Sequence, residues 1–271
     1  MRDLPPPYAR ALLFDVDGVL TDRYARPDVA VLRQLAAELS RGAAVGLITG
    51  RSRSWLAANI LELLSELVSD ARVGARLALA CEFGALYGRG VLTDMWAVAG
   101  PCVPRALAQA VHERVQAFSD LLEWDATKEC IATFEARHAQ AKRRGQGAVA
   151  AALSGFQGAI EPLLAAADCT ARLSTYTLDV LPAALSKRVG ARRVIDLLRE
   201  DANLESAVVL GDSPGDVEIA EQALAEGLRD VEFVWLGEGD QPLLPPTVRL
   251  VRPRRPYSRG ALLYLRSMRA A

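Results

Sequence analysis

Ala11-Leu-Leu-Phe-Asp-Val-Asp-Gly-Val-Leu-Thr-Asp22 carries an apolar run into two aspartates one residue apart, with a glycine directly after them. Side chains alternate along a strand, so positions i and i+2 share a face. Asp15 and Asp17 are therefore expected to point the same way where the chain leaves a sheet. Two carboxylates held in that way can divide labour, one as nucleophile or metal ligand, the other as proton donor and acceptor. Taken alone, the pattern fits a strand closing in a solvated, Asp-rich turn equally well. The rest of the chain decides between the two.

Strand and helix patterns alternate on both sides of a central stretch. After the strand at 11–14, a helix from about Pro27 repeats Val31, Leu32, Leu35, Ala36 and Leu39 at helical spacing and ends at Gly42. Ala43-Ala-Val-Gly-Leu-Ile48 is the next strand and stops at Thr49-Gly50-Arg51; residues 54–68 are helical again, and Leu77-Ala-Leu-Ala-Cys81 is a third strand. The rhythm returns with a helix at 186–199 and the strand Ala207-Val-Val-Leu210, which runs into Gly211-Asp-Ser-Pro-Gly-Asp216. A further helix, a strand at 231–236 and the basic stretch Arg252-Pro-Arg-Arg-Pro-Tyr-Ser-Arg259 before a last helix complete the chain. Such alternation predicts a parallel sheet covered on both faces.

Between about 91 and 182 the pattern changes. Strand-like runs at 91–98, 129–135 and 173–181 are separated by helix-like stretches at 104–122 and 147–167. Small antiparallel sheets with helices on one side have this order. The expected organisation is an α/β core of residues 1–90 and 183–271 with an inserted α+β domain at 91–182.

Composition narrows the function classes. Of the 271 residues 51% are hydrophobic, enough for a substantial core, and a net charge of −1 gives no electrostatic reason to expect nucleic-acid or membrane partners. Cys81, Cys102, Cys130 and Cys169 are scattered without a C-x-x-C pair, and the two histidines lie in polar surroundings, so zinc-type spacing is absent. The cysteines are expected to be small, reduced core residues. With no signal-peptide pattern at Met1-Arg-Asp-Leu-Pro-Pro-Pro7 and no run of the ~18 apolar residues that suggests a membrane span, the expectation is a soluble cytoplasmic protein.

In an open α/β sheet, ligands bind beyond the carboxyl ends of the strands. The expected topology brings Asp15 and Asp17, Thr49-Gly50-Arg51, and Asp212 with Asp216 to that rim, and Lys187 sits in the first turn of a helix entering it. Phosphoryl transfer asks for an in-line nucleophile, positive charge on the equatorial oxygens and a proton for the leaving group. Carboxylates alone would repel a phosphate. A magnesium ion, which favours oxygen ligands, together with a lysine would make an acidic rim fit for an anionic substrate.

Asp15-Val-Asp-Gly-Val, Thr49-Gly-Arg, Lys187 and Gly211-Asp-Ser-Pro-Gly-Asp216, in that order, resemble the four motifs of the haloacid dehalogenase-like phosphohydrolase superfamily. The resemblance implies a Rossmann-like parallel-sheet core. It implies that Asp15 attacks phosphorus and forms an aspartyl-phosphate, and that Asp17 protonates the leaving alkoxide and then activates water. Mg²⁺ would be held by the Asp15 carboxylate, the Asp17 backbone carbonyl and Asp212. Thr49 and Gly50 would bind the phosphate, Lys187 would neutralise it, and Asp216 would orient the lysine. One departure is visible: relatives often carry Asn where this chain has Gly215.

Cap placement follows from spacing. From Asp22 to Thr49 there is room for one loop, one helix and one strand, whereas the stretch from Thr49 to Lys187 holds the extra domain. That arrangement is similar to the group with a large α/β cap, which includes Cof-type sugar phosphatases, phosphatases of trehalose phosphate, sucrose phosphate and mannosyl-3-phosphoglycerate, and phosphomannomutases. The first two motifs also resemble capless phosphatases of 3-deoxy-octulosonate 8-phosphate, whose chains are too short to hold this interval. Within the capped group, Glu82-Phe-Gly-Ala85, Lys128-Glu-Cys-Ile-Ala-Thr-Phe-Glu-Ala-Arg137 and Asp179-Val-Leu-Pro182 are similar to stretches of trehalose-phosphate phosphatases and favour a small phosphorylated sugar as partner. Lys128 and Arg137 are either substrate contacts or solvated charges on an exposed cap strand. Three activities stay open: a Mg²⁺-dependent phosphatase, a phosphotransferase or mutase using the same intermediate, and a non-catalytic sugar-phosphate-binding protein. Oligomeric state is not legible.

Overall fold

The computed structural model describes residues 9–22, 26–91, 96–98 and 100–268. Strands β1 (Arg10–Phe14), β2 (Ala44–Ile48), β3 (Leu77–Cys81), β4 (Leu86–Arg89) and β5 (Ala97–Val98) precede an insertion. The insertion carries β6 (Leu122–Asp125), β7 (Ala132–Ala136), β8 (Cys169–Leu173) and β9 (Thr177–Pro182). After it come β10 (Ser206–Gly211), β11 (Asp230–Trp235) and β12 (Arg249–Val251). By its internal contacts the chain divides into two units, one of Met1–Ala99 with Ser186–Ala271 and one of Gly100–Leu185.

The first unit is an α/β core. Its sheet has the order β12-β11-β10-β1-β2-β3-β4-β5, parallel from β12 to β3 and antiparallel at β4 and β5. β2 and β3 are buried along their whole length, as expected of parallel strands covered on both faces. On one face the helix Lys187–Arg199 lays Val194, Ile195 and Leu198 against Leu13, Ile48, Ala78 and Ala80. The chain order reverses at β1, which pairs with β2 on one side and β10 on the other. That reversal opens a crevice at the carboxyl ends of β1 and β10. The helix expected from Pro27 begins instead at Val29, because the Asp28 side chain caps it by accepting the Ala30 N–H at 2.8 Å.

The second unit is an antiparallel sheet of order β6-β7-β9-β8 backed by the helices Arg105–Val115 and Gln146–Ala165. Phe134 on β7 meets Phe156 edge-on at 4.8 Å, within a core that also holds Val111, Leu153, Ile160 and Val180. Three sequence expectations change here. The strand expected at 91–98 as part of the insertion is, in its described part, β5, which pairs with β4 in the core sheet; 92–95 lie outside the described residues. The run at 173–181 holds the last residue of β8, a turn and β9, because Ser174 Oγ accepts the Tyr176 and Thr177 N–H groups and turns the chain; the rest of β8 precedes the expected run. The helix-like stretch at 104–122 ends early, and Leu122 opens β6.

Cys102 and Cys130 are joined in a disulfide, contrary to the expectation that all four cysteines are reduced. The physical reason is local: Val103 N–H donates to Cys130 C=O at 2.8 Å and draws the two backbones together. The helix Gln146–Ala165 is also long and apolar enough to cross a membrane by length and composition. Its Val149, Leu153, Phe156, Ile160 and Leu164 stripe is taken up by the core of the second unit.

Candidate active site

Three parallel strands deliver the site. Asp15 follows β1 and its N–H donates to Leu210 C=O at 3.0 Å, which fixes it beside the end of β10. Asp212 follows β10, and Thr49 follows β2, where its N–H donates to Ala80 C=O at 2.9 Å. Asp15 is 4% exposed and Asp216 fully buried. Lys187 is the first residue of its helix, capped by Ser186, whose Oγ accepts the Val189 N–H at 3.3 Å. A cation at a helix N-terminus opposes the macrodipole, so its position needs acidic partners. Lys187 Nζ lies 2.8 Å from Asp15 Oδ1 and also pairs with Asp216 Oδ1.

The other oxygen of Asp216 organises the motif around it. Oδ2 accepts the Asp212 N–H at 3.0 Å, the Ser213 N–H at 2.8 Å and the Ser213 hydroxyl at 2.9 Å. At Gly215 a Cβ would meet little beyond Ser213 Oγ at 3.7 Å, so the departure from Asn leaves open space rather than a distorted loop.

Burial pushes the Asp15 carboxyl well above the usual carboxylate range; Lys187 opposes this, while Asp216, Asp212 and Asp17 add to it. Burial also disfavours the Lys187 ammonium, but Asp15 and Asp216 outweigh it and raise the lysine above its ordinary value. The cluster is thus rich in negative charge, with one lysine set between two of its carboxylates. Asp15, Asp212 and Asp216 each offer a carboxylate oxygen, and these lie within 4.8 Å of one another. Hard oxygen donors at that spacing fit Mg²⁺, whose octahedral shell at about 2.1 Å sets opposite ligands ~4.2 Å apart.

Asp17 turns its carboxylate to Arg51. The guanidinium donates from Nε at 2.9 Å and from a terminal nitrogen at 2.9 Å, a bidentate fork, and lies 4.8 Å from the centre of the Trp55 ring. Arg51 was visible in the Thr49-Gly50-Arg51 triplet, but its pairing across 34 residues carries no local signal. Thr49 Oγ1 accepts the Arg51 N–H at 3.0 Å. Glu82 and Phe83 both have positive φ, and their N–H groups donate to Arg51 and Thr49 carbonyls at 3.2 and 3.1 Å. Two non-glycine residues in that region store strain, and here it shapes the turn that braces the Thr49–Arg51 loop.

Gly18 is the tightest point of the first motif. Its φ is +71°, and a Cβ there would run into the Asp212 carboxylate. Gly18→Ala is expected to lower stability by about 1–3 kcal/mol through backbone strain and to displace Asp212. Denaturant unfolding and Mg²⁺ titration of the variant check both effects.

The second unit places the two cap candidates differently. The Lys128 side chain is only 3% exposed and lies 3.8 Å from Asp125 Oδ2, so it is not a solvated charge. Arg137 is half-exposed, 3.1 Å from Glu123, and donates from Nε to Ser119 C=O at 2.9 Å. Asp125, Thr133, Asp179 and Arg172 stand directly opposite one another across β6, β7, β9 and β8. Their strand neighbours Trp124, Phe134 and Leu178 turn to the helix-backed side, so this polar row occupies the other face. Thr133 Oγ1 donates to Asp179 at 2.6 Å, and both residues are buried.

A doubly wound parallel sheet, acidic residues after β1 and β10, a lysine at a helix start, and an α+β insertion after β5 together define the haloacid dehalogenase-like hydrolase fold. No protein-family model matches the chain, and no curated protein matches it by sequence. Solved structures do. An Aspergillus fumigatus trehalose-6-phosphate phosphatase aligns over 99% of each chain at 19% identity with a TM-score of 0.55. A haloacid dehalogenase-like hydrolase from Bacteroides thetaiotaomicron covers 96% of this chain and 99% of its own at 11% identity and a TM-score of 0.63. A Plasmodium falciparum IMP-nucleotidase covers 98% of this chain and 69% of its own at 11% identity and a TM-score of 0.57. At these identities the likeness is one of fold.

Proposed function

We propose that the protein is a Mg²⁺-dependent phosphatase that hydrolyses a small phosphorylated sugar through an aspartyl-phosphate on Asp15. The observation that carries this reading is the cluster of buried Asp15 and Asp216 with part-buried Asp212, at the switch point of the sheet, with Lys187 set between the two buried carboxylates. The metal would be held by carboxylates of that cluster and would supply positive charge for the phosphoryl oxygens. Asp15 presents the attacking oxygen, and Lys187 balances charge on Asp15 and on the incoming phosphate. Asp17 carries the proton to the leaving oxygen and takes one from water in the second half-reaction, with Arg51 fixing its orientation. Thr49 and Gly50 hold the phosphate at the end of β2. Solved neighbours of the same fold act on trehalose-6-phosphate and on IMP, so fold alone does not select the substrate.

The sugar reading is supported by the stretches Lys128–Arg137 and Asp179–Pro182, which resemble those of trehalose-phosphate phosphatases. Within the second unit, Asp179→Asn is expected to lower stability by about 1–3 kcal/mol, because the buried Thr133 hydroxyl loses its charged acceptor. Denaturant unfolding of the variant checks this.

The test of the reaction is inorganic phosphate release from a panel of sugar phosphates and phosphorylated disaccharides, with Mg²⁺ and with EDTA. Metal-dependent release from one compound far above the others is expected. Equal traces with and without metal on every compound would remove the phosphatase reading for that panel.

A further inference from the structure

The core unit has a second concave feature that the proposed reaction does not use. A cavity of about 380 Å³ opens where the chain leaves β11, between the turn at 237–239 and the loop that follows β12, and is lined by Trp235, Gly237, Arg252, Arg254 and Arg255. Arg252 ties the two loops by donating to Gly239 C=O at 3.2 Å. Tyr257, at the end of the basic loop, is held at φ +54°, a strained conformation for an aromatic residue. Its N–H donates to Leu236 C=O at 2.8 Å, and its hydroxyl donates to Glu238 at 3.1 Å. Glu238, the one carboxylate among the described residues that line the cavity, is thereby engaged by tyrosine.

Two further facts indicate what the cavity takes. Arg254 and Arg255 have no acidic partner among the described residues. Trp235 is 3% exposed, and its indole Nε1–H is a buried donor without an acceptor. Buried donors are nearly always satisfied, so this indole N–H, in a residue that lines an arginine-rich cavity, can pair with an acceptor from outside the chain once the wall adjusts to a bound group. We infer that this cavity is an anion-binding site for a phosphate or carboxylate group, with Arg254 and Arg255 supplying charge and Trp235 a neutral donor. The wall of the site adjoins the strand end that carries Asp212: Leu236 N–H donates to Gly211 C=O at 2.8 Å, and a Cβ on Gly237 would meet the Asp212 carbonyl. The bound group has two possible sources of the same chemistry, a second anionic group on the substrate or a free inorganic anion. The site does not depend on the phosphatase reading, since binding alone tests it.

Titration of the full chain with sodium sulfate against sodium chloride at equal ionic strength, read through the tryptophan indole resonances, makes the test. Trp235→Phe assigns the Trp235 resonance. That resonance is expected to shift saturably with sulfate and not with chloride, and Arg254→Gln/Arg255→Gln is expected to weaken the apparent affinity roughly tenfold or more. Both arginines are exposed, so the double variant is expected to fold. A Trp235 resonance indifferent to sulfate, or an unchanged affinity in the double variant, would overturn the proposal. Competition of sulfate by a sugar bisphosphate but not by a sugar monophosphate identifies the substrate's second anionic group as the ligand; competition by neither identifies the free inorganic anion.

Discussion

Asp15→Asn is expected to cut phosphate release roughly 10⁴-fold or more with the fold intact. The loss is large because an amide cannot attack phosphorus, and residues that act as a unit lose nearly everything when the nucleophile goes. The fold survives because Asp15 is a burdened carboxylate. Burial and the neighbouring Asp216, Asp212 and Asp17 all disfavour its ionised form, and Lys187 keeps its contact with Asp216 once Asp15 is neutral. Turnover measured alongside thermal unfolding separates the two effects. Retention of most activity by a clean Asp15→Asn preparation would refute the assignment of Asp15 as nucleophile.

Lys187→Met is expected to do the reverse, with stability and turnover falling together. Without the ammonium, Asp15 and Asp216 remain buried beside Asp212 with no cation between them. Breaking a buried pair from one side destabilises by about 3–5 kcal/mol, because the remaining charge is left uncompensated. Turnover should fall roughly 10²–10³-fold for loss of one electrostatic stabiliser. The informative measurement is unfolding with and without Mg²⁺. A dication among the same carboxylates takes over part of the lysine's charge role, so Mg²⁺ should stabilise Lys187→Met more than wild type. An equal Mg²⁺ effect on both proteins would mean that the ion and the lysine do not share these carboxylates.

What could be read in the sequence followed from how far each signal reaches along the chain. The strand-helix alternation of the core was legible because a parallel strand buried on both faces is an unbroken apolar run, as in Leu77–Cys81. Asp15, Thr49, Lys187, Asp212 and Asp216 could be singled out because each stands directly after a strand or in a first helical turn. The insertion was harder. Its strands are four to six residues long, and β8 follows its helix so closely that only its last residue, Leu173, falls in the strand-like run that otherwise holds the Ser174 turn and β9. Pairings made only in three dimensions were not legible, including Arg51 with Asp17, Cys102 with Cys130, and the row from Asp125 to Arg172. Lys128 shows the same limit. A lysine between strand patterns reads as solvated or substrate-facing alike, and its burial beside Asp125 emerges only once β6 and β7 are paired.

The most direct measurement is a single turnover with the best compound of the phosphate-release panel, quenched in acid, reduced with borohydride and mapped by peptide mass spectrometry. An aspartyl-phosphate on Asp15 would be trapped as homoserine at that position, in wild type and not in Asp15→Asn. Full phosphate release with every Asp15 peptide unmodified would contradict the mechanism.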